Sequence, residues 1–324
     1  MDKLTQIKAP ISVELEQFKR LFDESLSTSN ELLNDAVTYI RRKQGKMMRP
    51  LLLLLTARLC GEITPSTYYA AVSLELLHTA SLVHDDVVDE SSERRGQPSV
   101  NAAYNNKVAV LVGDYLLATS LAQVSRTNIR AIIDVVSRLG QSLSEGELIQ
   151  LSSVSKTQFS EASYFDIINK KTAALFAACT EAGALSVHAT DEDVRLARRI
   201  GEGIGLCFQI RDDIFDYYDD ARIGKPTGND MLEGKLTLPA LYALNTTPDS
   251  DAHRLAMQVK NGTATHDEIA RLIEFSKQHG GIDYANRVMK QQQAKVLALL
   301  APIPDTDVKL SLTDYLYYVV EREM

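Results

Sequence analysis

The chain has 324 residues, 45% hydrophobic and 24% charged, enough for a sizeable core and unlike a disordered or collagen-like polymer. Its 35 basic and 43 acidic residues leave a net charge of −8, which excludes nucleic-acid binding through a broad basic surface but allows a small anion where cations gather locally. Gly and Pro, at 16 and 9 residues, are scarce against the roughly 7% and 5% of average usage, and that scarcity favours long helices.

The first residues, Met1 to Gln6, lack the apolar stretch of a signal peptide. No uninterrupted apolar run approaches the ~20 residues that span a bilayer, so the expectation is a cytoplasmic protein without a transmembrane segment. From about residue 10 onward, apolar residues recur at helical spacing, as in Val72, Leu76 and Leu77, then Ile129, Ile133 and Val136, then Leu196, Ile200 and Ile204, and again over 288–299. Breaks are short, at residues 61–65, 96–98, 224–228, 246–248, 280–281 and 302–304. Alternating strand patterns are nearly absent. The reading is all-α: one domain over 1–324, a single bundle of ten or more mostly antiparallel helices around a central cavity.

Segments 74–83 and 172–179 are apolar around most of their circumference, which places them inside a bundle or at a subunit contact. Segment 108–121 has more apolar surface than one side of a small bundle covers, and a homodimer is expected from it. The charged segments 191–199 and 267–277 belong outside. Cys60, Cys179 and Cys207 are too few and too scattered for a disulfide framework, and read as buried thiols of a reducing compartment.

The chemistry-bearing residues begin with Asp85, Asp86 and Asp89. Asp85 and Asp89 are one helical turn apart on the same face, where like charges repel unless a divalent cation lies between them. Oxygen-only ligands suit Mg²⁺. A lone acidic cluster is most often a solvated helix end, but Asp212, Asp213 and Asp216 repeat the DDxxD spacing after the apolar run 200–208. If the two helices face each other, six carboxylates converge. Mg²⁺ is usually completed by substrate phosphates, so the pattern asks for a diphosphate. Cations accompany it: Lys46 and Arg49 in GKMMRP, Arg94 and Arg95 after the first cluster, Lys170 and Lys171 before Thr172, and Lys225 and Lys235 around a Gly-rich loop. Singly, each is most often a solvated charge. His78 lies two turns before Asp85 on the same helical face.

Taken in order, GKMMRP, the His78 segment, DDVVDESSERRG, the Lys-Thr pair, FQIRDDIFD and GKPTGNDMLEGKLTLP resemble the trans-isoprenyl diphosphate synthases, the polyprenyl synthetase family, roughly from residue 45 to 239. That resemblance implies the isoprenoid synthase type of helical fold. It makes the six aspartates the two catalytic aspartate-rich motifs, with Asp85, Asp89 and Asp212 as ligands to Mg²⁺, three ions per loaded site. It also implies that Arg94, Lys171, Thr172, Gln209, Lys225 and Lys235 hold the diphosphate of an allylic substrate such as farnesyl diphosphate. Lys46, Arg49, His78 and Arg95 are implied to hold isopentenyl diphosphate without metal. Gln44 stands where the family commonly has a second glycine, and Asn229 where it often has aspartate.

The implied reaction is ionisation of the allylic diphosphate, attack by the alkene of isopentenyl diphosphate, and proton loss, with diphosphate departure eased by Mg²⁺ and cations. A terpene cyclase or head-to-head synthase would not need Lys46, Arg49 and Arg95. A regulatory partner subunit would be expected to lack one aspartate motif, and a Ca²⁺-binding scaffold would leave the paired cations unexplained. For product length, Ser81 lies one turn before Asp85, with Ala80 beside it and Leu77 and Leu74 deeper. In short-chain family members bulky aromatic residues at this depth block the tunnel. Two small residues here imply an all-trans product of six or more isoprene units; the alternative is a short-chain farnesyl or geranylgeranyl synthase.

Overall fold

A computed structural model describes residues 3–42, 45–94, 96–154, 159–218 and 227–322. In chain order the helices are α1 (Lys3–Lys8), α2 (Ser12–Ser25), α3 (Glu31–Arg42), α4 (Met48–Cys60), α5 (Pro65–Val88), α6 (Val100–Ala103), α7 (Asn106–Arg126), α8 (Arg130–Val154) and α9 (Glu161–Ile168). A π-helical turn, Asn169–Ala173, leads into α10 (Ala174–Ser186) and α11 (Asp191–Phe215). The remainder is α12 (Asn229–Leu232), α13 (Leu238–Thr246), α14 (Ser250–Lys260), α15 (His266–Gln278), α16 (Gly281–Leu300) and α17 (Asp307–Glu321). Strands β1 (Glu93–Arg94) and β2 (Gln97–Pro98) form a two-residue antiparallel hairpin. The all-α expectation holds.

Local chemistry explains the boundaries. Pro65 occupies the first turn of α5, where its missing N–H costs nothing, and Thr64 and Thr67 close a reciprocal capping box ahead of it. Thr265 and Glu268 do the same for α15, whose buried Ile269, Leu272, Ile273 and Ser276 form one helical stripe. By contrast, α4 buries Leu51 through Leu55 with no exposed side, and α10 is buried almost throughout, as its uniform apolarity requires.

By contact pattern the chain forms two compact units. The first comprises Met1–Gln141, Leu175–Glu202 and Leu299–Tyr318. Its core holds the α4 leucines, Val72, Leu74 and Leu76 of α5, and Phe176 of α10. The second comprises Ser142–Ala174, Gly203–Ala298 and Val319–Met324, with Tyr217, Met231, Leu244, Leu255, Val259 and Leu272 in one cluster.

By length and composition α7 could cross a membrane, with a mean hydropathy of 1.5 in its most apolar window. The segment holds no long uninterrupted apolar run, because Gly113, Asp114, Thr119 and Ser120 punctuate it. In the first unit α7 packs on α5: the Ser73 and Ser120 hydroxyls lie 3.0 Å apart, and a Cβ at Gly113 would collide with the His84 ring.

Candidate active site

In the first unit, α5 carries Asp85 and Asp86 on its last turn, and Asp89 caps its C-terminus, where its N–H donates to the Asp85 carbonyl at 2.8 Å. The three carboxylates differ in environment. Asp85 and Asp89 are half-buried, whereas Asp86 is only 2% exposed. The Arg94 guanidinium, brought back by the β1–β2 hairpin, grips Asp86 from both sides: Nε donates to its two oxygens at 2.8 and 2.9 Å, and Nη2 lies 2.7 Å from Oδ1. A bidentate pair of this kind fixes both partners. Arg94, expected as a diphosphate contact, is thus also the clamp of the middle aspartate. His78 is half-buried on the same helix; Ala80, Leu77 and Leu74 are buried, and Ser81 is half-buried with its hydroxyl donating to the His78 carbonyl at 2.8 Å.

Lys46 and Arg49 flank the start of α4, where Met47 adopts a left-handed φ of 51°, a conformation that costs a non-glycine residue on the order of 1 kcal/mol. Lys46 donates to the Tyr318 hydroxyl at 2.7 Å, and the Arg49 guanidinium lies 5.8 Å from the Phe176 ring centroid. Arg95 lies outside the described residues.

In the second unit, α11 carries Gln209, Asp212 and Asp213, and Asp216 follows directly after its last residue. Asp213 is 2% exposed and accepts from the Tyr164 hydroxyl at 2.5 Å and from Gln209 Nε2 at 2.8 Å. Burial pushes its carboxyl up to about 7 against those two hydrogen bonds. Gln209 Oε1 in turn accepts from Thr172 at 2.6 Å. Asp216 caps α12, accepting from the N–H groups of Asn229 and Asp230 at 2.9 and 3.1 Å. Asp212 pairs with Arg322, whose guanidinium lies 4.2 Å from the Phe208 ring centroid. Lys171 sits on the π-helical turn paired to Glu147, and Lys235 pairs with Glu233 at 2.5 Å. Irregular turns of this type recur at functional sites. Lys225 lies outside the described residues.

The contacts join Arg94 to Asp86 in the first unit and Thr172 and Gln209 to Asp213 in the second, and the middle aspartate of each motif is buried and held internally. Among the described residues, no three His, Cys, Asp or Glu side chains converge into a metal-binding group. The half-buried carboxylates Asp85, Asp89 and Asp212 supply hard oxygen donors alone, and that donor chemistry fits Mg²⁺. Tyr164, Arg322, Glu147 and Tyr318 were not legible as site residues; all are partners from distant sequence. The signal that could have found Tyr164 is a hydroxyl beside the apolar Phe165, Ile167 and Ile168, two turns before the Lys-Thr pair.

An all-α fold with two DDxxD clusters and basic residues around them defines a prenyl-transferring enzyme. The family model of the polyprenyl synthetases matches residues 30–275, and the chain belongs to that family. It is 31% identical to octaprenyl diphosphate synthase of Escherichia coli, covering 93% of each chain. Among solved structures, a geranylgeranyl pyrophosphate synthase from Bacteroides thetaiotaomicron is 59% identical with a TM-score of 0.89, covering 99% of this chain and 100% of that one. A polyprenyl synthase from Caulobacter crescentus, complexed with calcium and isoprenyl diphosphate, is 30% identical with a TM-score of 0.93 over 98% of both. The family acts on isopentenyl and allylic diphosphates with a divalent metal, and this chain is an enzyme that transfers prenyl groups.

Proposed function

We propose that the protein is a cytoplasmic, homodimeric, Mg²⁺-dependent synthase that extends an allylic diphosphate with isopentenyl diphosphate to an all-trans chain of six or more isoprene units. In this reading Asp85, Asp89 and Asp212 are the metal ligands, while Asp86 and Asp213 are internal struts. The metal, when bound, supplies electrostatic stabilisation to the departing diphosphate. Arg94, Lys171, Lys225 and Lys235 add positive charge to the same group, and Thr172 and Gln209 hydrogen-bond it. Lys46, Arg49, His78 and Arg95 hold isopentenyl diphosphate so that its alkene meets the allylic cation. The proton leaves to the released diphosphate, so no protein base is assigned. Buried apolar side chains such as Leu74 and Leu77 exclude water that would quench the cation.

The observation that carries the long product is the small pair Ala80 and Ser81 on α5, one turn before Asp85, where a ring would close the path of a growing chain. The octaprenyl relative supports it. The 59% identity to the Bacteroides protein favours a second reading, a C20 product. Labelled isopentenyl diphosphate with farnesyl diphosphate separates the two: chains of C30 or longer are expected, and Ser81→Phe should shorten them to C15–C20. A wild-type product that stops at C20 establishes the second reading.

A further inference from the structure

The hydroxyl of Tyr164 serves no step above, yet it is among the most deeply placed polar groups of the second unit. Tyr164 is 6% exposed, and its O–H···O distance of 2.5 Å to Asp213 Oδ2 is that of a charge-assisted hydrogen bond. The opposite oxygen, Oδ1, receives Gln209 Nε2 at 2.8 Å, and Gln209 Oε1 receives Thr172 at 2.6 Å. The four groups form one chain of hydrogen bonds. Tyr164 and Thr172 come from α9 and the π-helical turn after it, and Gln209 and Asp213 from one turn of α11.

The direction of the chain is dictated by Asp213. Both Asp213 oxygens accept, from Tyr164 and from Gln209 Nε2, so the Gln209 amide turns its NH₂ towards Asp213 and its carbonyl towards Thr172. Were the amide reversed, its oxygen would face the carboxylate. Without the tyrosine hydroxyl, Asp213 Oδ2 would lose a donor in a place that water does not reach, and the carboxylate would be free to rotate. Gln209, one residue type expected at the allylic diphosphate, would lose its fixed orientation along with it.

We infer that Tyr164 is a positioning residue, which through Asp213 fixes the Gln209 amide and the turn of α11 that presents Asp212 to the metal–diphosphate. This rests on the prenyl synthase reading of the site and deepens it.

The test is calorimetric binding of inorganic diphosphate with Mg²⁺ to the purified full chain. Tyr164→Phe should weaken binding about tenfold in the wild-type background, since part of a strong hydrogen bond to a carboxylate is transmitted to the diphosphate site. In an Asp213→Asn background the same substitution should change binding less than twofold. In turnover, KM for the allylic diphosphate should rise while KM for isopentenyl diphosphate stays constant, a split that a general loss of structure would not give. Tyr284→Phe, which removes a hydroxyl bonded to Glu161 at the start of α9 at 2.6 Å, serves as the control and should bind as wild type. Should Tyr164→Phe fail to fold, Asp213→Asn alone carries the test, with a similar loss expected. Wild-type affinity in these variants, or an equal factor in both backgrounds, overturns the inference. Absence of Mg²⁺-dependent diphosphate binding by the wild-type chain instead overturns the reading of the site.

Discussion

The two middle aspartates show how the same residue type is buried by different means. Asp86 is neutralised by a cation, Arg94, whereas Asp213 receives hydrogen bonds from two uncharged donors, Tyr164 and Gln209. Removing Arg94 would leave a carboxylate buried without its counter-charge, the costly half of breaking an ion pair. Arg94→Ala should therefore lower stability by about 1.5–3 kcal/mol in urea unfolding, and adding Asp86→Asn should restore part of the loss. If the double variant is less stable than Arg94→Ala, the charge of Asp86 is not what Arg94 answers. The thiols give a second test at this scale. Burial pushes Cys60 up to about 11 and both Cys179 and Cys207 to about 12. The thiolate is the nucleophile, so a thiol with a raised pKa is mostly protonated and slow at pH 8. Cys60, the one half-buried thiol, should react first with a disulfide reagent, and its rate should rise about tenfold per pH unit from 8 to 10. A plateau near pH 9 would mean an ordinary thiol.

At the scale of elements, α4 and α10 are the helices whose apolar residues leave no outward face, and they cross where Gly183 meets backbone. A Cβ at Gly183 would lie 2.6 Å from the Leu53 carbonyl oxygen and 3.3 Å from the Ala57 nitrogen, neither of which can swing away as a side-chain end can. Gly183→Ala should cost about 1–3 kcal/mol of stability, measured by thermal or urea unfolding, even though alanine is the better helix former. An unchanged melting midpoint would show that the crossing is looser than drawn. Helices like these were legible in the sequence because their signals are local: leucine runs, helical spacing, and breaks at residues 61–65 and 302–304 that fall between observed helices. The aspartate motifs were legible for the same reason, since each spans the C-terminal end of one helix. What was not legible depends on distant pairing. Tyr164 and Asp213 are 49 positions apart, and Arg322 and Asp212 are 110 apart. Nothing in the composition of 169–173 marks a π-helical turn. The apolarity of α7 was legible, but not which of its residues α5 would cover.

That uncovered part of α7 bears on the whole molecule. Val112, Gly113, Leu116 and Ser120 are buried, while Leu111 is 67% exposed and Leu121 52%, with Val110 and Leu117 exposed as well. Single exposed leucines are ordinary, but here Val110, Leu117 and Leu121 share one helical face with Leu111 beside it, interrupted by the exposed Asp114. A two-fold contact would cover this face with the same face of a second chain, because an isologous interface needs only one self-complementary surface. Light scattering at micromolar concentration should give twice the 35.9 kDa of the single chain. Leu111→Glu with Leu121→Glu places two like charges from each chain in that contact, and should shift the mass to that of one chain while leaving the helical circular dichroism unchanged. If the wild-type chain scatters as a monomer, the exposed row is not a subunit contact. If the double glutamate variant remains a dimer, the subunits meet elsewhere.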